Sequence, residues 1–304
     1  PSGARWAARD VALEYRGLSS RWKPRSKPHE LKDKRWEYYI DNRRSGRSEF
    51  WGLDSDELRF PVPSSSSKRR ALLKRQQEIH ELRSEMKPLI IDALREAGDH
   101  YLVRKFALGT SGWSREDPRG PKRPMWMQAY PRAFPRLVMA NAQKYGVNPY
   151  LLWALMTVES SYNPDSLSTA DALGLLQVIP RTGLKTAILL QDEDFGPQDL
   201  LEPEVAIEHG AFYISQLIKK FRGQELFAIA GYNGGPHRVG DWLEMRGDTM
   251  PMDEFVEEIP FNQARLYVKK VLRFLTLYLE LYEGTEELYV GQNIRPDYRP
   301  HPNF

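Results

Sequence analysis

From residue 68 to residue 282, apolar side chains return at steps of three and four and show no sustained alternation. A period near 3.6 is the signature of amphipathic helices, and its persistence makes the class mainly α. Leu72, Leu73, Ile79, Leu82, Met86, Leu89, Ile90, Ala93 and Leu94 mark one run between Lys68 and Ala97. Pro88 falls inside that run and is expected to divide it into two helices. Further helices are expected from about Arg136 to Tyr145, closed by Gly146, then over Pro203 to Phe221, Glu225 to Tyr232 and Gln263 to Tyr282. The one hint of a strand is a short stretch near Leu288 to Val290. Pro61-Val62-Pro63 with Ser64 to Ser67 reads as a linker, and 111–124, with three prolines and two glycines, as a loop.

The chain has 304 residues and no cysteine, so disulfides, thiolate metal sites and cysteine nucleophiles are excluded. Hydrophobic residues at 41% and charged residues at 28% fit a soluble globular protein. The first residue is Pro1 and no signal peptide is visible, so a processed or trimmed form is expected. The net charge of +3 hides an asymmetry. Residues 1–75 carry 19 basic and 10 acidic side chains, leaving 25 basic and 31 acidic in the remainder. A basic N-terminal part favours an anionic partner such as cell-wall polymer, lipid head groups or nucleic acid, or is a solvated helical surface. The acidic remainder argues against a nucleic-acid enzyme, so no nucleic-acid partner is expected. Trp6, Trp22, Trp36 and Trp51 are spaced too widely for one motif and read as anchors of small helical contacts.

One helix carries a misplaced charge. Asn148 is placed to cap it and Pro149 to occupy its first turn. Leu152, Leu155, Met156 and Glu159 then fall at i, i+3, i+4 and i+7, which puts Glu159 on the apolar stripe near the helix end, before Asn163-Pro164 stops it. Burial disfavours a charged carboxylate, so such a glutamic acid holds its proton towards neutral pH and can serve as a general acid. The competing reading is a helix-end Glu that reaches solvent or a partner. Leu173 to Ile179 is apolar except for Gly174 and Gln177, so the Gln177 amide is expected to face a cleft.

Four blocks, in order, resemble the soluble lytic transglycosylase family, whose catalytic domain is related to goose-type lysozyme. Glu159-Ser160 looks like the family's catalytic pair. Gly174-Leu175-Leu176-Gln177-Val178-Ile179-Pro180-Arg181-Thr182 is similar to Gly-Leu-Met-Gln-(Ile/Val)-(Met/Ile)-Pro-x-Thr. Gly231-Tyr232-Asn233-Gly234-Gly235-Pro236 is similar to Ala-Tyr-Asn-Ala-Gly-Pro. Phe255-Val256-Glu257-Glu258-Ile259-Pro260-Phe261, with Arg265 and Tyr267-Val268, is similar to Phe-(Ile/Val)-Glu-x-Ile-Pro-Phe-x-Glu-Thr-Arg-x-Tyr-Val. Gly231, Leu176, Asp171 and Gln263 depart from the family's usual Ala, Met, Gly and Glu.

The blocks cover about residues 150–270 and imply a lysozyme-like catalytic domain, placed over 131–304; a helical linker region is expected over 68–130, and the basic, Trp-bearing region over 1–67, which shows no resemblance, is read as helical and has no assigned role. The resemblance implies an enzyme without cofactor or metal that cleaves peptidoglycan glycan strands outside the cytoplasm, in a Gram-negative cell the periplasm. Glu159 is then the catalytic acid, and Ser168, Gln177, Tyr232, Asn233 and Glu257 the substrate-binding candidates. Asn233 has the alternative of a turn residue, and Glu257 that of an ion pair holding its loop. The rivals are a muramidase that uses water and a wall-binding scaffold without activity. Other chemistries fit poorly. His209 and His237 are isolated, Asp192-Glu193-Asp194 is not continued as a calcium loop, and no phosphate loop or nucleophile elbow occurs.

Overall fold

A computed structural model describes residues 85–109, 113–246, 250–285 and 293–294. The expectations for residues 1–67, for the start of the run at Lys68 and for Leu288 to Val290 lie outside the described residues. Contacts divide the chain into Pro1–Leu102 and Val103–Phe304.

Residues 85–96 form one helix that passes through Pro88. The expected break is absent from the described part. Ile90, Ile91 and Leu94, on the stretch beyond Pro88, are all buried, at about 1.5–3 kcal/mol each. Asp99 caps the following helix, its Oδ1 accepting from the Leu102 amide at 3.0 Å.

The helices that follow are α1 (His100–Leu108), α2 (Arg123–Ala129), α3 (Pro135–Tyr145), α4 (Pro149–Glu159), α5 (Pro180–Leu190), α6 (Pro203–Lys220), α7 (Glu225–Gly234), α8 (Pro236–Arg246), α9 (Met252–Glu258) and α10 (Asn262–Tyr282). Two 3-10 turns, Trp113–Arg115 and Pro197–Leu201, lie between them. The first of these, and the start of α2, fall inside the stretch expected to be loop. The described strands are a two-residue antiparallel pair, β1 (Met250–Pro251) with β2 (Asn293–Ile294). The protein is mainly α, as the periodicity predicts.

The second unit is built around α4. Tyr150 to Thr157 are all buried, so this helix is enclosed on every side rather than along one stripe. It packs lengthwise against α10, with α3 alongside, while α7 joins α6, α8 and α10. The start of α4 follows its sequence: Asn148 Oδ1 accepts from the Tyr150 amide at 2.9 Å, with Pro149 in the first turn. Its end does not. α4 stops at Glu159, four residues before Asn163-Pro164, because Ser161 and Tyr162 turn left-handed at φ 52° and 68°. That turn drives the Tyr162 ring into the core, where its hydroxyl meets Thr157 Oγ1 at 2.5 Å and the hydroxyl of Tyr278.

The Tyr-Pro-Arg-Ala-Phe-Pro run is sewn to the same core. Its Tyr130, Pro131 and Ala133 carbonyls accept from Tyr282 at 2.9 Å, Tyr278 at 3.0 Å and the Trp153 indole at 2.8 Å. Side chains on both sides of 130/131 therefore share one core. His209 is a structural residue. It is buried, its Nδ1 lies 2.6 Å from Thr186 Oγ1, and its ring stacks on Phe195 at 4.5 Å, while burial pushes its pKa down. His237 is exposed.

Candidate active site

Glu159 is the last residue of α4 and the turn beyond it faces the hairpin of residues 173–178. Ser160, its neighbour, donates from Oγ to the Leu175 carbonyl at 2.8 Å. Tyr232, on α7, donates from its hydroxyl to the next carbonyl, that of Leu176, at 2.8 Å. Two successive carbonyls are thus held from opposite elements, which fixes the hairpin beside the acid. Gly174 makes the turn at φ 74°, and a Cβ there would stand 1.8 Å from the Leu200 carbonyl oxygen. Only glycine fits both the left-handed backbone and that approach.

The acid itself is largely buried. Burial raises its pKa to about 7, and a hydrogen bond from the Tyr267 hydroxyl, 2.5 Å from Oε1, draws it partly back. Among the described residues no second carboxylate contributes to that value. Burial and the Glu159 charge hold both Tyr232 and Tyr267 well above the ordinary tyrosine range, so both remain donors. Glu159 therefore keeps a proton near neutral pH and releases it into a site that can stabilise the resulting anion with one strong donor.

The other expected residues divide. Gln177 sits in the hairpin at φ 48°, and its Nε2 donates to the carbonyls of Ser166 and Gly174, both at 3.0 Å. Its amide nitrogen thus ties the loop, leaving the amide oxygen as the group to offer a ligand. Ser168 Oγ accepts from the amides of Ala170 at 3.1 Å and Ala172 at 3.0 Å, which leaves its hydroxyl proton to donate. Asn233 is exposed near the end of α7 and lines a depression of about 390 Å³ with Gly234, Arg238, Phe261 and Gln263. Glu257 is an ion-pair residue: its Oε1 lies 2.6 Å from Lys269 Nζ and its carbonyl accepts from Arg265 at 3.0 Å. Tyr232, expected as a substrate-binding residue, lies close enough to feel the Glu159 charge, while the hydroxyl bonded to the carboxyl is that of Tyr267. Tyr267 stood in the fourth block, and its place on the apolar face of α10 made it look like core. Among the described residues, no group of three or more His, Asp or Glu is arranged to hold a metal, and no helix is long and apolar enough to cross a membrane.

A buried, proton-holding glutamate at a helix end, set against a pinned glycine hairpin in a mainly α domain, is an arrangement suited to acid catalysis. Residues 136–253 match the family model described as Transglycosylase SLT domain. The chain is 34% identical over 162 residues to the soluble lytic murein transglycosylase of Salmonella typhimurium, a match covering 53% of this chain and 25% of that protein. It is 30% identical to membrane-bound lytic murein transglycosylase C of Actinobacillus pleuropneumoniae over 49% of this chain and 47% of that protein. The chain thus matches between a quarter and a half of these relatives' lengths. In fold it resembles an inactive mutant of lytic transglycosylase Slt from Pseudomonas aeruginosa, with a TM-score of 0.56 and 24% identity over 96% of this chain and 48% of that one.

Proposed function

We propose that this protein is a peptidoglycan lytic transglycosylase with Glu159 as its catalytic acid. The observation that carries the reading is a buried carboxyl whose pKa burial raises to about 7 and which accepts from Tyr267, with no carboxylate among the described residues contributing to that shift. A two-carboxylate glycosidase needs a partner acid within about 5–9.5 Å, whereas assistance from the substrate's own 2-acetamido group does not.

Glu159 gives its proton to the oxygen linking N-acetylmuramic acid to N-acetylglucosamine. That bond breaks and the acetamido oxygen stabilises the positive charge at C1. Glu159, now a carboxylate accepting from Tyr267, takes the proton of the C6 hydroxyl. The C6 oxygen closes on C1 to give a 1,6-anhydro end, and no water is consumed. Ser168, through its hydroxyl proton, and Gln177, through its amide oxygen, bind the sugar beside the hairpin. Tyr232 positions the hairpin through Leu176, Asn233 contacts the strand at the depression, and Glu257 holds its loop through Lys269. The place of work is outside the cytoplasm, where peptidoglycan lies.

The names of the relatives in Salmonella and Actinobacillus support the substrate class. Digestion of purified sacculi, followed by mass analysis of the muropeptides, tests the reaction. Anhydro ends, lighter by one water, are expected. Reducing ends alone would make the protein a muramidase. Binding without cleavage, equal in wild type and Glu159→Gln, would make it a scaffold.

A further inference from the structure

The depression at Asn233 has a charge that the proton transfer does not use. It is formed where the end of α7 and the start of α8 meet the 260–264 corner that opens α10. Gly234 lies two residues beyond Tyr232 on α7, and Ala264 three residues before Tyr267 on α10, so the depression is built from the same two helices that carry the tyrosines of the candidate site. Its volume of about 390 Å³ is in the range of sites for small organic groups and far larger than a lone ion requires.

Arg238 is the one formally charged side chain among the residues that line it; Asn233, Asn262 and Gln263 are neutral amides. The Arg238 guanidinium lies over the Phe261 ring, 5.5 Å from its centroid. Stacked in this way, a guanidinium uses its face on the ring and keeps its edge of N–H donors for a planar anion. Phe261 is half exposed, and the depression continues over an apolar floor of Val239, Trp242 and Ile259. Glutamate at 263 would add a negative charge to the same lining. Glutamine leaves the arginine uncompensated within the lining. Cation edge, neutral amides and apolar floor together fit a short peptide-like group that ends in a carboxylate.

We infer that this depression, organised by Arg238 and left positive by Gln263, selects glycan strands whose muramoyl side group carries a free carboxylate. The inference rests on the proposed reading of Glu159 and deepens it by naming what the neighbouring subsite requires. The carboxylate has two sources, the terminus of a peptide stem or the bare lactyl group of a stripped sugar.

The test compares kcat/KM on three soluble strand preparations: intact stems, stems removed by an amidase, and intact stems whose carboxylates are converted to amides. For wild type, amidation is expected to lower kcat/KM on the order of tenfold, the size of one charge-assisted hydrogen bond. Arg238→Gln and Gln263→Glu are each expected to bring the ratio of free to amidated strands close to one. A merely structural effect would lower both substrates together and leave the ratio intact. If stripped strands are cleaved as well as intact ones, the lactyl carboxylate is the group read. If they resemble amidated strands, the stem terminus is. Equal wild-type cleavage of free and amidated strands overturns the inference while leaving the transglycosylase reading in place, as does a ratio unchanged in both variants. Failure of wild type to cleave any of the three overturns the reading of Glu159 instead.

Discussion

The hydroxyl of Tyr267 donates to Oε1 of Glu159 at 2.5 Å, across 108 positions of sequence. It joins the end of the enclosed helix α4 to the second turn of α10, the longest of the described helices. The pair sets two opposed influences on one proton: burial holds it on the carboxyl, and the tyrosine stabilises the anion left when it goes.

The first consequence is a stability that depends on pH. The folded state holds the Glu159 proton up to about pH 7, while in the unfolded chain it is lost near 4.5. The folded state therefore binds more protons between these values, and stability falls as pH rises through them. The full cost of ionising the buried carboxyl is about 3 kcal/mol. Glu159→Gln removes it, so the variant should exceed wild type by up to that amount at pH 8 and equal it at pH 4. Urea denaturation at both pH values checks this; a gap of the same size at each would refute it.

Activity should follow the same titration in the opposite role. With Glu159 as acid, kcat/KM on glycan strands should fall tenfold per pH unit above about 7. Tyr267→Phe removes the donor that favours the carboxylate, so the falling limb should move to higher pH while the plateau drops on the order of tenfold. A lower plateau with an unmoved limb would mean that the tyrosine acts by packing alone.

Two glycines share a left-handed backbone and differ in what surrounds them. Gly146 closes α3 at φ 67° with nothing within 4 Å of a built Cβ, while Gly174, at φ 74°, would place that atom 1.8 Å from the Leu200 carbonyl oxygen. Gly146→Ala should cost about 1 kcal/mol, the strain of the backbone alone. Gly174→Ala should cost more than about 3 kcal/mol and distort the hairpin that carries Gln177. Thermal melts of the two variants side by side decide it, and equal losses would contradict the close approach.

Tyr232→Phe should cost about 1–2 kcal/mol, because the Leu176 carbonyl loses its donor. As its hydroxyl serves the hairpin and not the acid, the pH limb should stay where it is in wild type. A shift like that of Tyr267→Phe would place Tyr232 on the carboxyl.

Much of this is legible in the residue types alone. Asn148-Pro149 and Gly146 announce the turn between α3 and α4 in residue types that have one physical use there. The stripes of α6 and α10 give those helices to within a residue. α5 and α8 were missed although each opens on a proline, Pro180 and Pro236. Gly183 blurs the pattern of α5, and Gly234-Gly235 before α8 reads as an extended turn. The end of α4 was misplaced because the force that bends it, burial of the Tyr162 ring against Thr157 and Tyr278, is tertiary. Tyr267 escaped for the same reason. On a stripe, a tyrosine that reaches an acid looks the same as one that fills a core.

The packing of α4 along α10 also gives the acid a history. Glu159 leaves the ribosome more than a hundred residues before Tyr267, and a nascent chain that stops short of α10 carries a glutamate with ordinary acidity and no tyrosine to meet it. The raised pKa belongs to the folded core in which α4 lies along α10. The titration of one side chain is therefore a readout of whether α4 and α10 are packed together.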